Sequence, residues 1–124
     1  MRFCNKESFV GIVLGGAMII TSPASADVYC GGDTPPLKVL TYSDGSVLVY
    51  TAWRVDFFQI CNLNQKWKGV EPAVCFAWMS KLAGAINAGK RAGFWYGGLT
   101  GADACRNLPT YSGAPVPVYI DVAS

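Results

Sequence analysis

Apolar and polar residues alternate along most of the chain after residue 36. In "LKVLTYSDGSVLVYTAW", Leu37, Val39 and Thr41 fall on one side of an extended backbone and Lys38, Leu40 and Tyr42 on the other. Asp44-Gly45 is a favoured pair for a tight hairpin turn, because both central residues of such a turn need positive φ. Val47, Val49 and Thr51 mark the returning strand. In "AWRVDFFQIC" the alternation continues, with Val55, Phe57 and Gln59 set against Asp56, Phe58 and Ile60. No turn residue separates this stretch from the strand before it. The pattern predicts one long bent strand, or two strands meeting at a bulge near Trp53-Arg54, a device of small closed barrels.

The period then changes. In "EPAVCFAWMSKLAGAINAGK", Cys75, Met79, Leu82 and Ile86 step by helical intervals, with Trp78 and Ala85 beside them. Pro72 suits a first helical turn, Glu71 sits at the positive end of the helix dipole, and Gly89 suits a left-handed stop. The opposite face carries small residues, Ala77, Ala83, Gly84 and Ala88. "AGFWYGG" reads as a strand between glycines, and "VPVYIDVA" as a last strand with Ile120 and Val122 opposed to Tyr119 and Asp121. "CGGDTPP" and "LTGADACRNLPTYSGAP" read as irregular segments. The predicted fold class is α+β. It is either a five-stranded antiparallel OB-like barrel or a curved sheet, with one helix between strands 3 and 4.

The N-terminus has its own pattern. Arg2 and Lys6, partly offset by Glu7, precede the apolar "SFVGIVLGGAMII", which is shorter than the ~20 residues a bilayer span needs. "SPASA" ends with small residues at Ala24 and Ala26. Residues 1–26 therefore read as a signal peptide, with a buried N-terminal helix as the alternative, and residues 27–124 as one OB-like domain. Cleavage would remove Cys4 and leave Cys30, Cys61, Cys75 and Cys105. An even count in a short exported chain implies disulfides, with three pairings open. Cys61 ends a strand and Cys75 opens a helix, which favours Cys61–Cys75 and leaves Cys30 for Cys105. A zinc site is excluded, since there is no CxxC pair and no histidine.

Charge changes the picture little. Beyond Ala26 there are eight Lys/Arg and seven Asp/Glu, too even a balance to attract nucleic acid or an anionic membrane. Neither a catalytic set nor a cofactor or metal site is legible. Histidine is missing, the cysteines are assigned to disulfides, acidic residues occur singly, and no GxSxG or Walker sequence is present. Aromatic residues are the surplus. Trp53 and Trp78 suit a core. Trp67 sits in a polar loop between Lys66 and Lys68, and "FWYGG" must turn at least one ring outward. The candidate ligand-binding residues are Trp67, Lys66, Lys68, Trp95 and Tyr96, for a glycan or a protein surface.

The order of elements over residues 37–123 resembles the B-subunits of bacterial AB5 toxins, and "LPTYSGAPVPVYIDV" is similar to the tails of small exported proteobacterial proteins. The first resemblance implies a ring of five subunits with the helix lining a pore and sugars bound on a barrel; the second implies no activity. No site residue is carried over from either. The expectation is a non-catalytic binding module, secreted or periplasmic and homo-oligomeric, without a membrane span. A self-assembling envelope protein without a small ligand is the alternative.

Overall fold

The protein is described by a computed structural model covering residues 27–123; the segment read as a signal peptide lies outside the described residues. The elements are β1 (Asp27–Gly31), β2 (Lys38–Thr41), β3 (Ser46–Thr51), β4 (Asp56–Asn62), α1 (Pro72–Ala88), β5 (Arg91–Gly97) and β6 (Tyr119–Ala123). They form two antiparallel sheets of three strands, ordered β1-β5-β6 and β2-β3-β4.

This overturns both the expected five-stranded barrel and its alternative, a single curved sheet. The described strands number six, in two separate sheets with no closed barrel, and the helix lies between the fourth and fifth. Three local features explain the difference. Cys30 and Gly31, read with the irregular "CGGDTPP", instead end a strand, "DVYCG", that pairs with β5 from Asp27↔Gly97 to Gly31↔Gly93 and completes a sheet of its own. The β3 and β4 strands are not one bent strand. Between them the Thr51 carbonyl accepts the Val55 N–H (2.8 Å), the Thr51 hydroxyl accepts the Arg54 N–H (3.3 Å), and Val55 takes φ +61°. A chain reversal is thus built without glycine or proline, at the cost of a β-branched residue in the left-handed region. The bulge falls at Val47/Leu48 instead, and the far edge of β4 meets only a single bridge, Phe58↔Tyr111.

The sheets bury their facing sides. Cys30, Phe94, Tyr96 and Ile120 from one meet Val47, Val49, Phe58 and Ile60 from the other in a single core. Phe58 and Phe94 pack edge to face with centroids 5.4 Å apart, and Trp53 lies against both. Because side chains alternate along a strand, the outer faces of the two sheets point away from each other. The α1 helix covers this core with Cys75, Trp78, Leu82 and Ala85. It stops at Gly89 (φ +66°), where Lys90 N–H bonds to Ala85 O (2.9 Å) and Gly89 N–H to Ile86 O (3.4 Å). That is the glycine-dependent termination expected of "NAGK".

Two disulfides join Cys30 to Cys105 and Cys61 to Cys75. The second ties α1 to β4 across a short loop, and the first fastens β1 to the long connection before β6. By loop-closure entropy they stabilise by about 3 and about 4 kcal/mol respectively, large shares for a domain of this size.

Candidate binding surface

The outer face of the β1-β5-β6 sheet carries a row of three rings. Tyr29 pairs with Trp95 and Trp95 pairs with Tyr119, so one side chain from each strand lines up across the sheet. Trp95 and Tyr119 lie within 11° of parallel at 5.8 Å, and Tyr29 approaches Trp95 at 6.1 Å with a 48° tilt. Tyr29 and Tyr119 are 40% and 43% exposed, while the next residue after Trp95, Tyr96, is fully buried. Strand alternation places Trp95 outward and Tyr96 inward.

A polar group borders the row. The Tyr29 hydroxyl donates to Asp121 Oδ1 at 2.7 Å, reaching from β1 over β5 to β6. The phenol can cross because residue 93 is glycine: a Cβ there would lie 2.6 Å from Tyr29 Cε1 and closer still to the hydroxyl. Ionising Tyr29 would remove this donated bond and set a second negative charge beside Asp121. Its pKa is accordingly pushed up to about 12, by the hydrogen bond first, then burial, then the charge of Asp121. At neutral pH the phenol is a fixed donor, and Arg91 on the same strand face adds a positive charge. The arrangement offers flat apolar rings next to oriented polar groups.

The other residues singled out from the sequence have different surroundings. Trp67 is half-buried and shares two backbone bonds with Val70 (3.0 and 2.9 Å) around a turn in which Lys68 and Gly69 both have positive φ. Lys68 Nζ sits 4.6 Å from the Trp67 ring centroid. The same ammonium donates to Ser112 O (3.0 Å) and Ala114 O (2.6 Å). Lys66 pairs with Glu71 at 3.2 Å, both well exposed, a contact of little energetic weight. The structure thus brings Trp67, Lys66 and Lys68 together, but Lys68 is committed to bracing the 112–114 segment. Tyr96 faces the core, and its hydroxyl has no hydrogen-bond partner.

Sequence reasoning missed Tyr29, Tyr119 and Asp121 as a set with Trp95. The alternation in "VPVYIDVA" did place Tyr119 and Asp121 on one face. The register that brings them beside Trp95 and Tyr29 is a long-range pairing with no local signature.

Other hollows carry less chemistry. One, of about 400 Å³, lies among Leu99, Thr100, Gly101, Ala102 and Asn107; its carboxylate, Asp103, is paired with Arg106 at 3.2 Å. A groove of about 370 Å³ between α1 and residues 116–118 is mainly apolar, with Val74, Trp78, Val116 and Val118. Among the described residues no group of three or more His, Cys, Asp or Glu is placed to hold a metal, and no helix is long and apolar enough to cross a membrane. Comparison with protein families, curated proteins and solved structures gives no match.

Proposed function

We propose that the chain is an exported, non-catalytic binding module that takes a glycan on the outer face of the β1-β5-β6 sheet. The carrying observation is the cross-strand row Tyr29–Trp95–Tyr119 with the Tyr29–Asp121 bridge at its border. A sugar ring presents apolar C–H faces and a rim of hydroxyls. Rigid aromatic rings suit the first, and a carboxylate with a fixed donor suits the second. The rings stand on strands rather than on a loop, so little ordering entropy opposes binding. The non-catalytic part rests on four carboxylates that each have a partner other than a second carboxylate: Asp44 accepts Ser46 N–H, Asp56 accepts Phe57 N–H, Glu71 pairs with Lys66, and Asp103 pairs with Arg106. Both disulfides fit an oxidising compartment, secreted or periplasmic. Screening the purified domain against immobilised glycans, with Trp95→Ala as the control, tests the proposal. If no glycan binds, or if Trp95→Ala weakens none of those that do, the proposal is defeated.

A second reading, self-assembly, is favoured by the solvent side of α1. Phe76 is 60% and Val74 42% exposed there, beside exposed Ala73, Ala77, Ala83 and Gly84. The charge on that side, Lys81, reaches back to Ile120 O (3.4 Å). A homo-oligomer built on this face would multiply weak glycan contacts through avidity. The resemblance to toxin B-subunits stands here only as a proposal of glycan binding by an oligomer; the barrel it implied is not carried with it. Sedimentation at several concentrations checks the point. A mass that stays monomeric, or a Phe76→Glu variant that assembles as well as the parent, removes this reading.

A further inference from the structure

We infer that the protein holds a second saccharide site, on the outer face of the β2-β3-β4 sheet, which accepts one neutral hexose ring in preference to an acidic sugar. This inference rests on the glycan-binding reading above. The site is a hollow of about 190 Å³ flanked by Tyr42 and Tyr111, each 46% exposed. Leu48 and Gln59, which are nearly fully buried, also line it, together with Asp44 and Ser112.

Size limits the occupant. Pockets for drug-sized ligands run to about 300 Å³ or more, so this hollow suits a single ring rather than a chain threaded through it. Chemistry narrows it further. Two phenol rings offer stacking faces, and hydroxyl and carboxamide groups match vicinal hydroxyls. Gln59 Nε2 donates to Cys61 O (3.2 Å), which fixes the amide, and Asp44 Oδ1 accepts Ser46 N–H (2.9 Å), which fixes the carboxylate. The Ser46 hydrogen bonds hold Asp44 below the usual carboxylate range, so it is anionic at neutral pH. Among the described residues no lysine or arginine lines the hollow. A uronic or sialic acid would therefore bring its own negative charge against Asp44, while the ammonium bordering Ser112, that of Lys68, is already engaged by Ser112 O and Ala114 O.

The backbone at Tyr111 supplies an independent observation. Tyr111 takes φ +52°, a left-handed conformation that is costly for an aromatic residue. It is held there by two bonds to β4, Tyr111 N–H to Phe57 O (3.0 Å) and Gln59 N–H to Tyr111 O (3.1 Å). Lys68, itself at φ +49°, clamps the next residues through Ser112 O and Ala114 O. Strained residues fixed from two sides accumulate where a side chain must be presented in one place.

The test is a titration of tyrosine-ring-labelled protein by nuclear magnetic resonance. Neutral hexoses and the matching uronic acids are the probes, applied to the parent protein and to Trp95→Ala, Tyr42→Ala and Tyr111→Ala. The Tyr42 side chain is exposed, so its removal keeps the test valid if Tyr111→Ala does not fold. The expected result is that a neutral hexose shifts Tyr42 and Tyr111 in the parent and equally in Trp95→Ala. The matching uronic acid should bind a few-fold more weakly, since Asp44 is exposed and screened, and Tyr42→Ala should lose about tenfold in hexose affinity. Shifts at Tyr119 and Tyr29 alone overturn the second site and leave the first standing. Shifts at Tyr42 and Tyr111 alone do the reverse. A uronic acid that binds as well as its hexose, or no shift with any sugar, overturns the inference.

Discussion

Adding one methyl group at position 93 should release Tyr29 from Asp121 while leaving the fold in place. In the native protein the phenol lies over Gly93, and the new Cβ would come within 2.6 Å of Cε1, too close for any real contact. The backbone at residue 93 sits in regular pairing with β1 and β6, so the strands have no reason to move. The ring does: it is the free end of a side chain that is 40% exposed, and it can swing out to water. Two opposing effects on stability then nearly cancel. Replacing a strand glycine by alanine gains about 0.5–1 kcal/mol. Losing an exposed hydrogen bond to a carboxylate, screened by solvent, costs at most about 1 kcal/mol. The titration of Tyr29 does not cancel. Its pKa should fall from about 12 towards the ordinary 10.0, because the first cause of the elevation, the bond to Asp121, is gone. The linkage has a definite sign. A folded pKa above the unfolded one means that the stabilisation is complete below pH 10.0 and is lost as pH rises through about 12. Gly93→Ala should therefore flatten the alkaline fall in stability across that window. Tyrosinate absorbance read against pH, with Tyr29→Phe to assign the transition, gives the measurement. A Gly93→Ala protein in which Tyr29 still titrates near 12 would refute the bridge across the sheet.

The remaining predictions concern the frame that holds the two faces. Tyr96→Phe removes a fully buried hydroxyl that has no partner, and should raise unfolding stability by about 1 kcal/mol or more; a loss in denaturant titration would show that the hydroxyl is satisfied. Val55→Gly relieves a left-handed β-branched residue that is 66% exposed, for a net gain of about 0.5–1 kcal/mol, and a loss would place the strain elsewhere. Replacing Cys61 and Cys75 together by alanine should cost about 3 kcal/mol, and replacing Cys30 and Cys105 about 4 kcal/mol; the reverse order in chemical denaturation would contradict the loop-length argument.

Local features were legible in the sequence where local chemistry decides them. Asp44-Gly45 turns a hairpin, though with positive φ at Gly45 alone, Pro72 and Gly89 bound a helix, and the strand-to-helix step between Cys61 and Cys75 made their bridge the favoured one. The architecture was not legible, because it depends on pairings far apart in the chain. The β1 strand is five residues directly after the stretch read as a signal peptide, and its partner β5 lies beyond the helix. Val55 reverses the chain with no turn residue to announce it, so the stretch read as one bent strand or as two strands meeting at a bulge, and suggested a barrel. The site divides in the same way. An outward ring in "FWYGG" followed from alternation, and the structure selects Trp95 rather than Tyr96. Its companions Tyr29 and Tyr119 depend on register. Trp67 looked free from its polar neighbours, but Lys68, turned back by a positive φ, lies against the ring and ties the turn to residues 112 and 114.

Indole N–H resonances, followed while a glycan from the array is titrated in, test the central claim most directly. The four tryptophans, Trp53, Trp67, Trp78 and Trp95, report from separate places in the fold. If the outer face of the β1-β5-β6 sheet is the recognition surface, the Trp95 signal moves with saturation while those of Trp53 and Trp78 stay fixed. Saturable movement at Trp67 with Trp95 unchanged would contradict the account.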